Sequence, residues 1–328
     1  MKRYAFLKWA GLAGLMLLCS GLCLSGYGWA QSQFVSIGTS DAGGTYNFMG
    51  TAMAKVISKY LPHLKPSVEA TPGGGMGNIR LLGKESITFG IAGSDAGYSS
   101  YRGEGPFAKE KNENLRTALT GLELQCHFIV MAASKIKSLS DLKGKSIVAN
   151  SAGNAAIYAP QTLEAYGLKA GDYKISMMAT NEAVEALKDG RADAILTYAV
   201  GPAAAFMDLA LRHDVHFLPV AEDKIESMIR KYPYYKKFVM KPGFYPKQPQ
   251  ELRVSAITSI LYTHSKIEEQ LVYTFVKALL EHSNELAEIH PAAGAFNIER
   301  QKELLGGTII PPLHSGVVRY YKEKGLLK

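Results

Sequence analysis

Residues Gly43-Gly44-Thr45 form a small polar turn between the strand-like run Phe34-Val35-Ser36-Ile37 and apolar residues at helical spacing up to Ile57. A helix N-terminus leaves about four backbone N–H groups unpaired and carries roughly half a positive charge. Glycines let an anion approach that backbone closely. The turn therefore suits a carboxylate or phosphate, with hydroxyls from Ser40 and Thr45 and the ring and phenol of Tyr46 alongside. The plainer reading is that the glycines only permit a tight turn. Nucleotide patterns are not met: "GTSDAGG" lacks the G-x-G-x-x-G spacing, and "TPGGGMGN" has no lysine where a phosphate loop needs one. There is no G-x-S-x-G elbow and no H-E-x-x-H pair. His213 and His216 lie three apart without a cysteine or second histidine pair to complete a zinc set, so they read as surface or structural residues. Asp95 after Ser94 can act as a catalytic carboxylate, but capping the next helix or bonding a ligand donor is its commoner role. Tyr234-Tyr235 and Tyr320-Tyr321 can stack on ligands, though such pairs more often pack lobe surfaces.

These residues need strands and helices to position them, and the two alternate throughout the chain. Strands are expected at 64–71, 87–92, 115–133, 146–149, 173–178, 192–197 and 252–264, and helices from 45, at 76–84, 159–166, 181–189 and 266–290. Ser94-Asp95 and Asn181 are expected to cap helices, and Gly190 to stop one. Residues 219–252, rich in Pro, Tyr and Lys, read as irregular. The alternation predicts an α/β fold with mainly parallel sheets. "VSIGTSDAGGTY" (35–46) and "SIVANSAGNAAIY" (146–158) share one pattern of strand, small polar turn and helix start, which suggests two similar lobes. The long apolar strands near 126–132 and 253–261 bracket the second lobe and predict a two-strand hinge. The expected division is lobe I at 31–133 plus 251–328 and lobe II at 134–250.

The 328 residues are 47% hydrophobic and 20% charged, a balance able to bury a core. Three basic residues, Lys2, Arg3 and Lys8, fall in the first thirty positions, which lowers the net charge from +8 to about +5 for the remainder. With no dense Lys/Arg run after position 30, nucleic-acid binding is not expected. The basic start, the apolar run from Trp9 to Leu24 and Gly28-Trp29-Ala30 read as a signal peptide cleaved after Ala30. An uncleaved membrane anchor is the alternative, but the run is short and glycine-containing. Cys126 is then the only mature cysteine and reads as a core thiol. The expected product is an exported protein of the periplasm without a membrane span of its own.

The chain resembles the TAXI family of extracytoplasmic solute receptors, which serve TRAP transporters. The resemblance runs along nearly the whole mature chain, through "IGTSDAGGTYNFMGTAMAKVI", "EATPGGGMGNIRLL", "FGIAGSDAGY", "YRGEGPF", "IKSLSDLKGKSIV", "EAVEALKDGRADAIL", "YPYYKKFVMKPGFYP" and "PPLHSGVVRYYKEKG" in order. It implies a two-lobed periplasmic binding protein of type II-like fold, with a small organic solute in the cleft between the lobes. It also implies delivery of that solute to a TRAP-type permease. Family members are associated with dicarboxylates and amino acids such as glutamate and 2-oxoglutarate. Cleft positions implied by the resemblance, together with Ser40 from the turn itself, are Gly43, Gly44, Thr45, Tyr46, Asn78, Arg80, Ser94, Asp95, Ser151, Gly153, Asn154, Tyr198 and Pro202. Arg80 has a structural ion pair as its alternative role.

Three positions depart from the family pattern. Ser151-Ala152-Gly153-Asn154-Ala155 stands where relatives read like G-S-G-T-R, Gly93 where Gln is frequent, and Ala199-Val200-Gly201-Pro202 where A-G-x-P is usual. The function expected is capture of a carboxylate or amino acid by lobe closure, without catalysis, cofactor or metal. The rival readings are an exported α/β enzyme, for which no nucleophile–base pair is found, and a stand-alone sensor domain with the same fold.

Overall fold

The computed structural model describes residues 32–150 and 155–328, and the main body runs from Phe34 to Lys328. The expected signal peptide lies outside the described residues. The first half reads β1 Gln33–Thr39, α1 Thr45–Tyr60, β2 Leu64–Ala70, α2 Gly74–Gly83, β3 Phe89–Gly93, α3 Ser94–Arg102 and β4 Leu115–Met131. The middle reads β5 Ser146–Asn150, α4 Ala155–Ala165, β6 Lys174–Met178, α5 Thr180–Lys188, β7 Ala194–Ala199, α6 Ala204–Arg212, β8 Val215–Phe217, α7 Glu222–Lys231 and β9 Lys236–Met240. The chain closes with β10 Leu252–His264, α8 Glu269–Glu281, α9 Ser283–Ile289, α10 Ile298–Leu305 and α11 Ser315–Glu323.

The strands follow the order β2-β1-β3-β10-β4-β7-β5-β6, with β8 on β4 and β9 on β10. The expected parallel pairing holds on the flanks, where β1 pairs with β3 and β5 with both β6 and β7. The centre is antiparallel, because β4 and β10 run in opposite directions and each serves both flanks. The first part of β4 pairs with the last part of β10, from Leu115 opposite His264 to Gln125 opposite Ala256. Beyond that point β4 turns to β7, with Gln125 opposite Ala199, while the start of β10 pairs with β9. Register shifts between Thr258 and Ile260 and between Leu261 and Tyr262 bend the shared ladder. Gly121 lies in this stretch because a Cβ there would come 2.9 Å from Ser259 Oγ and from the Phe296 ring.

The cores change over inside these two strands. Cys126, Phe128, Leu196, Phe206, Val254 and Ile257 belong to one apolar cluster, and Val35, Met53, Phe89, Leu119, Leu261 and Phe275 to another. A third small cluster joins Ile79, Leu82, Phe107 and Leu115 to Ile260 and Tyr262.

Local rules explain where the elements depart from expectation. Ser94 and Asp95 are not caps: α3 begins at Ser94 itself with Gly93 as N-cap, so Asp95 lies in the first turn, where a negative charge suits the helix dipole. Asn181 does not cap α5, which starts one residue earlier; the Glu182 carboxylate instead accepts from the Ala179 N–H at 3.3 Å. Residues 219–252 contain α7 and β9 rather than irregular chain. In α7 Ile225 and Met228 are buried on one face of an otherwise charged helix, and Glu222 and Asp223 at its start and Arg230 and Lys231 at its end match the dipole. The expected helix 266–290 is broken at His282 into α8 and α9.

Candidate functional site

Of the two expected strand–turn–helix units, the first forms as β1 and α1, and the strand and helix of the second as β5 and α4. In the first, Gly43 adopts φ +81°, a left-handed conformation that favours glycine. Gly44 is the N-cap of α1 and has no side-chain cap. Its N–H donates to the Asp41 carbonyl at 2.9 Å, and a Cβ here would press into Ser40 Oγ. Ser40 Oγ is buried and has no hydrogen-bond partner among the described residues. Thr45 is exposed and Tyr46 half-buried. Burial and, second, the charge of Asp95 push the Tyr46 hydroxyl well above the usual phenol range. In the second unit, Ser151, Gly153 and Asn154 lie outside the described residues.

Asp95 is fully buried at the start of α3. Its charge also raises the hydroxyls of Tyr158, Tyr234, Tyr235 and Tyr262, for each of which burial is the larger cause. Tyr262 stands on β10, Tyr158 on α4, and Tyr234 and Tyr235 on the segment between α7 and β9. Tyr262 packs its hydroxyl on Gly97 of α3, where a Cβ would overlap the ring. Tyr98 of α3 lies 5.0 Å, ring to ring, from Tyr234. Gln161 Oε1 accepts from Tyr234 OH at 2.5 Å and Tyr235 OH at 2.8 Å, which fixes these two rings 4.8 Å apart. The charge of Asp95 thus acts on Tyr46 and on tyrosines from both flanks of the sheet. Sequence reasoning left Tyr234 and Tyr235 as packing residues and did not single out Tyr158 or Tyr262, since only the fold shows that the charge of Asp95 acts on all four.

The other expected site residues take different places. Ser94 Oγ accepts from the Thr258 N–H at 3.1 Å, and both residues line a small cavity with Thr120, Tyr234 and Ile310. Asn78 is fully buried, and its amide donates to the Thr39 carbonyl at 3.0 Å and the Ile91 carbonyl at 2.8 Å, tying β1 to β3. Gly38 makes room for it: a Cβ there would come 2.5 Å from Asn78 Oδ1. Arg80 pairs with Glu110 at 2.9 Å, lies over the Phe107 ring and faces a separate surface pocket with Lys84 and Asn112. This is the ion pair anticipated as its alternative role.

Tyr198 is buried within the second flank, bonded to Ser255 Oγ at 2.5 Å and Thr162 Oγ1 at 3.3 Å. Pro202 is exposed and follows a cis peptide from Gly201. Side chains from β4 and from the segment after β9 hold its loop: the Gly201 N–H donates to Gln125 Oε1 at 2.7 Å, and the Ala203 N–H donates to Tyr245 OH at 2.9 Å. Tyr245 OH is in turn bonded to His127 Nε2 at 2.7 Å. Burial brings His127 down to about 4 and pushes the Cys126 thiol up to about 12, so the thiol stays protonated and packs as core. Among the described residues no group of three or more His, Cys, Asp or Glu side chains is placed to hold a metal, and no helix is long and apolar enough to cross a membrane.

The family model described as NMT1-like matches residues 37–325. The chain belongs to the NMT1-like family. Its fold is similar to that of a Xanthomonas citri protein solved bound to ATP, at 11% identity and a TM-score of 0.55 over 89% of this chain and 99% of that one. It is also similar to a Bordetella bronchiseptica protein at 14% identity and a TM-score of 0.53, over 90% and 99%. The periplasmic aliphatic sulphonate binding protein of Escherichia coli matches at 16% identity and a TM-score of 0.49, over 89% and 83%. The mixed α/β fold of this NMT1-like chain is thus similar to the folds of the Xanthomonas citri and Bordetella bronchiseptica proteins.

Proposed function

We propose that this NMT1-like protein is an exported solute receptor that captures a small carboxylate or amino acid by closing two lobes, and hands it to a TRAP-type permease. The observation that carries this reading is the change of core inside β4 and β10: two strands pass between two apolar clusters, one built on each flank of the sheet. Lobe I then comprises the segments packed around α1, β3 and α8, and lobe II the segments around β5 and β7. The lobes join where β4 and β10 leave one core for the other.

The start of α1 offers N–H groups and the Thr45 hydroxyl to an anionic head group. A solute that touches both lobes has differential affinity for the closed state and shifts the hinge population toward it. Micromolar capture corresponds to about 8 kcal/mol, within reach of several charge-assisted hydrogen bonds in a water-poor cleft. The reading involves binding and release with no bond made or broken in the solute. The TAXI resemblance of the sequence motifs supports the choice of a TRAP permease as partner, and the basic, apolar leader supports export. A thermal-shift screen of the purified protein against carboxylates, amino acids, sugars and sulfonates tests it. Stabilisation by one class, with tight calorimetric binding, is expected. No stabilisation by any class, with turnover of a metabolite pool instead, would replace the receptor by an enzyme.

A further inference from the structure

A cavity of about 530 Å³ opens where the end of α2 meets the segment between α3 and β4. Of the residues expected at the solute site, only Arg80 lines it. Its distinguishing group is Asn112, which is 8% exposed and whose Nδ2 has no hydrogen-bond partner among the described residues. Oδ1 of the same amide accepts from the Asn114 N–H at 3.1 Å, which leaves Nδ2 as the free end. A buried donor left unpaired is costly, and an acceptor brought to it recovers that cost. Gly83 keeps it uncovered, since a Cβ there would rest 3.4 Å from Nδ2. Two cations line the same cavity. Arg80 engages Glu110 through Nε alone, and Lys84 is in no ion pair among the described residues. The two carboxylates of the lining are already neutralised, Glu110 by Arg80 and Glu113 by Lys111. The negative end of the α2 dipole falls here too, but its last carbonyls are taken: Arg80 O by the Lys84 N–H, Leu81 O by the Ser86 N–H and Leu82 O by the Glu85 N–H. The open functions are thus donors, one buried amide and two cationic groups. A carboxylate has only two oxygens to share among them, whereas a phosphate group presents at least three strong acceptors and more charge. The volume lies within the range of small-molecule sites, about 300–1,000 Å³, so there is room for more than a single ion.

We propose that this cavity is a second binding site, separate from the solute cleft, for a small phosphate monoester whose phosphate oxygens are held by Asn112, Lys84 and Arg80. The site goes beyond the receptor reading and does not depend on it. Calorimetry on the purified protein tests it with glycerol 3-phosphate and glucose 6-phosphate, against inorganic phosphate, citrate, glycerol and glucose. At least one monoester is expected to bind about tenfold tighter than inorganic phosphate, citrate and its own parent alcohol. Asn112→Asp keeps the acceptor toward Asn114 but replaces the donor by a charge of the wrong sign, and should weaken that monoester about tenfold. Should Asn112→Asp fail to fold, two milder variants carry the test. Gly83→Ala sets a methyl on Nδ2 at a helical position where alanine is favoured, and should weaken binding about threefold without lowering the melting temperature. Exposed Lys84→Gln should also weaken it about threefold. Thr45→Ala with Tyr46→Ala, which alters the solute cleft, should leave it unchanged. If neither monoester binds, if citrate or inorganic phosphate binds as tightly, or if Gly83→Ala and Lys84→Gln both bind like the wild type, the inference is overturned. Loss of monoester binding in the Thr45/Tyr46 double variant but not in Lys84→Gln would place the phosphate in the solute cleft, which overturns the second site and leaves the receptor reading standing.

Discussion

Replacing His127 by Gln is expected to remove most of one proton from the acid dependence of stability. His127 lies on β4 just past the crossing into the second core, fully buried, with Nδ1 2.8 Å from the Gln125 carbonyl and Nε2 2.7 Å from Tyr245 OH. Burial lowers it from an ordinary value of 6.5 to about 4. Above pH 6.5 the ring is neutral in both folded and unfolded chains and contributes no slope. As pH falls below 6.5 the unfolded chain takes up a proton that the folded chain refuses, so stability is lost, and the loss is complete once pH passes below the folded value near 4. Every tenfold drop in proton affinity is worth about 1.4 kcal/mol, so the window corresponds to about 3 kcal/mol, or about 1.4 kcal/mol per pH unit in its middle. Urea denaturation at pH 7.5, 6.5 and 5.0 reads this directly. The wild type should lose about 1–2 kcal/mol more than His127→Gln between pH 6.5 and 5.0, whatever the variant costs at pH 7.5. Equal slopes would refute the burial of a neutral imidazole at this position, and with it the anchoring of the 200–203 loop through Tyr245.

Four further outcomes are expected. Thr45→Ala with Tyr46→Ala should weaken solute binding by about 10- to 100-fold without unfolding, the range of one or two lost charge-assisted bonds, as calorimetry on the folded double variant will show. Asn78→Ala leaves two buried carbonyls, of Thr39 and Ile91, without their donor and should lower stability by about 2–4 kcal/mol in thermal or urea melts. Gly97→Ala drives a methyl into the Tyr262 ring and should cost about 1–3 kcal/mol despite the better helix propensity of alanine; a neutral melt would mean that Tyr262 is not packed there. Cys126, with its thiol at about 12, should react with a thiol reagent at pH 8 only on unfolding, which a labelling time course with and without denaturant will test.

Much of this architecture was legible because it rests on short-range rules. The apolar runs 115–133 and 252–264 are too long for ordinary strands, and that length is what lets β4 and β10 serve two cores. The turn before α1 was legible because Gly43 needs a positive φ and Gly44 a close approach to Ser40. The antiparallel centre was not, since the direction of a strand is set by where the chain returns from. Neither was α7, whose register is fixed by two buried side chains and its end charges. At the site, Asp95 and Tyr46 could be picked from their neighbours in sequence. Tyr158, Tyr234, Tyr235 and Tyr262 could not, because they feel the charge of Asp95 from α4, the segment before β9, and β10, elements far apart in sequence. Asn78 and Arg80 show the converse, with polar groups beside a glycine turn satisfied by strand carbonyls and by Glu110.

The central claim is that the two flanks move as lobes about β4 and β10 when a solute binds. Spin labels on cysteines placed at exposed Lys55 on α1 and exposed Lys169 after α4, with Cys126 buried and silent, would report the distance between the lobes by double electron–electron resonance. Saturation with the solute selected by the thermal-shift screen should collapse a broad distribution to one narrower and shorter distance. A distribution that stays the same while calorimetry shows the solute bound would contradict capture by closure.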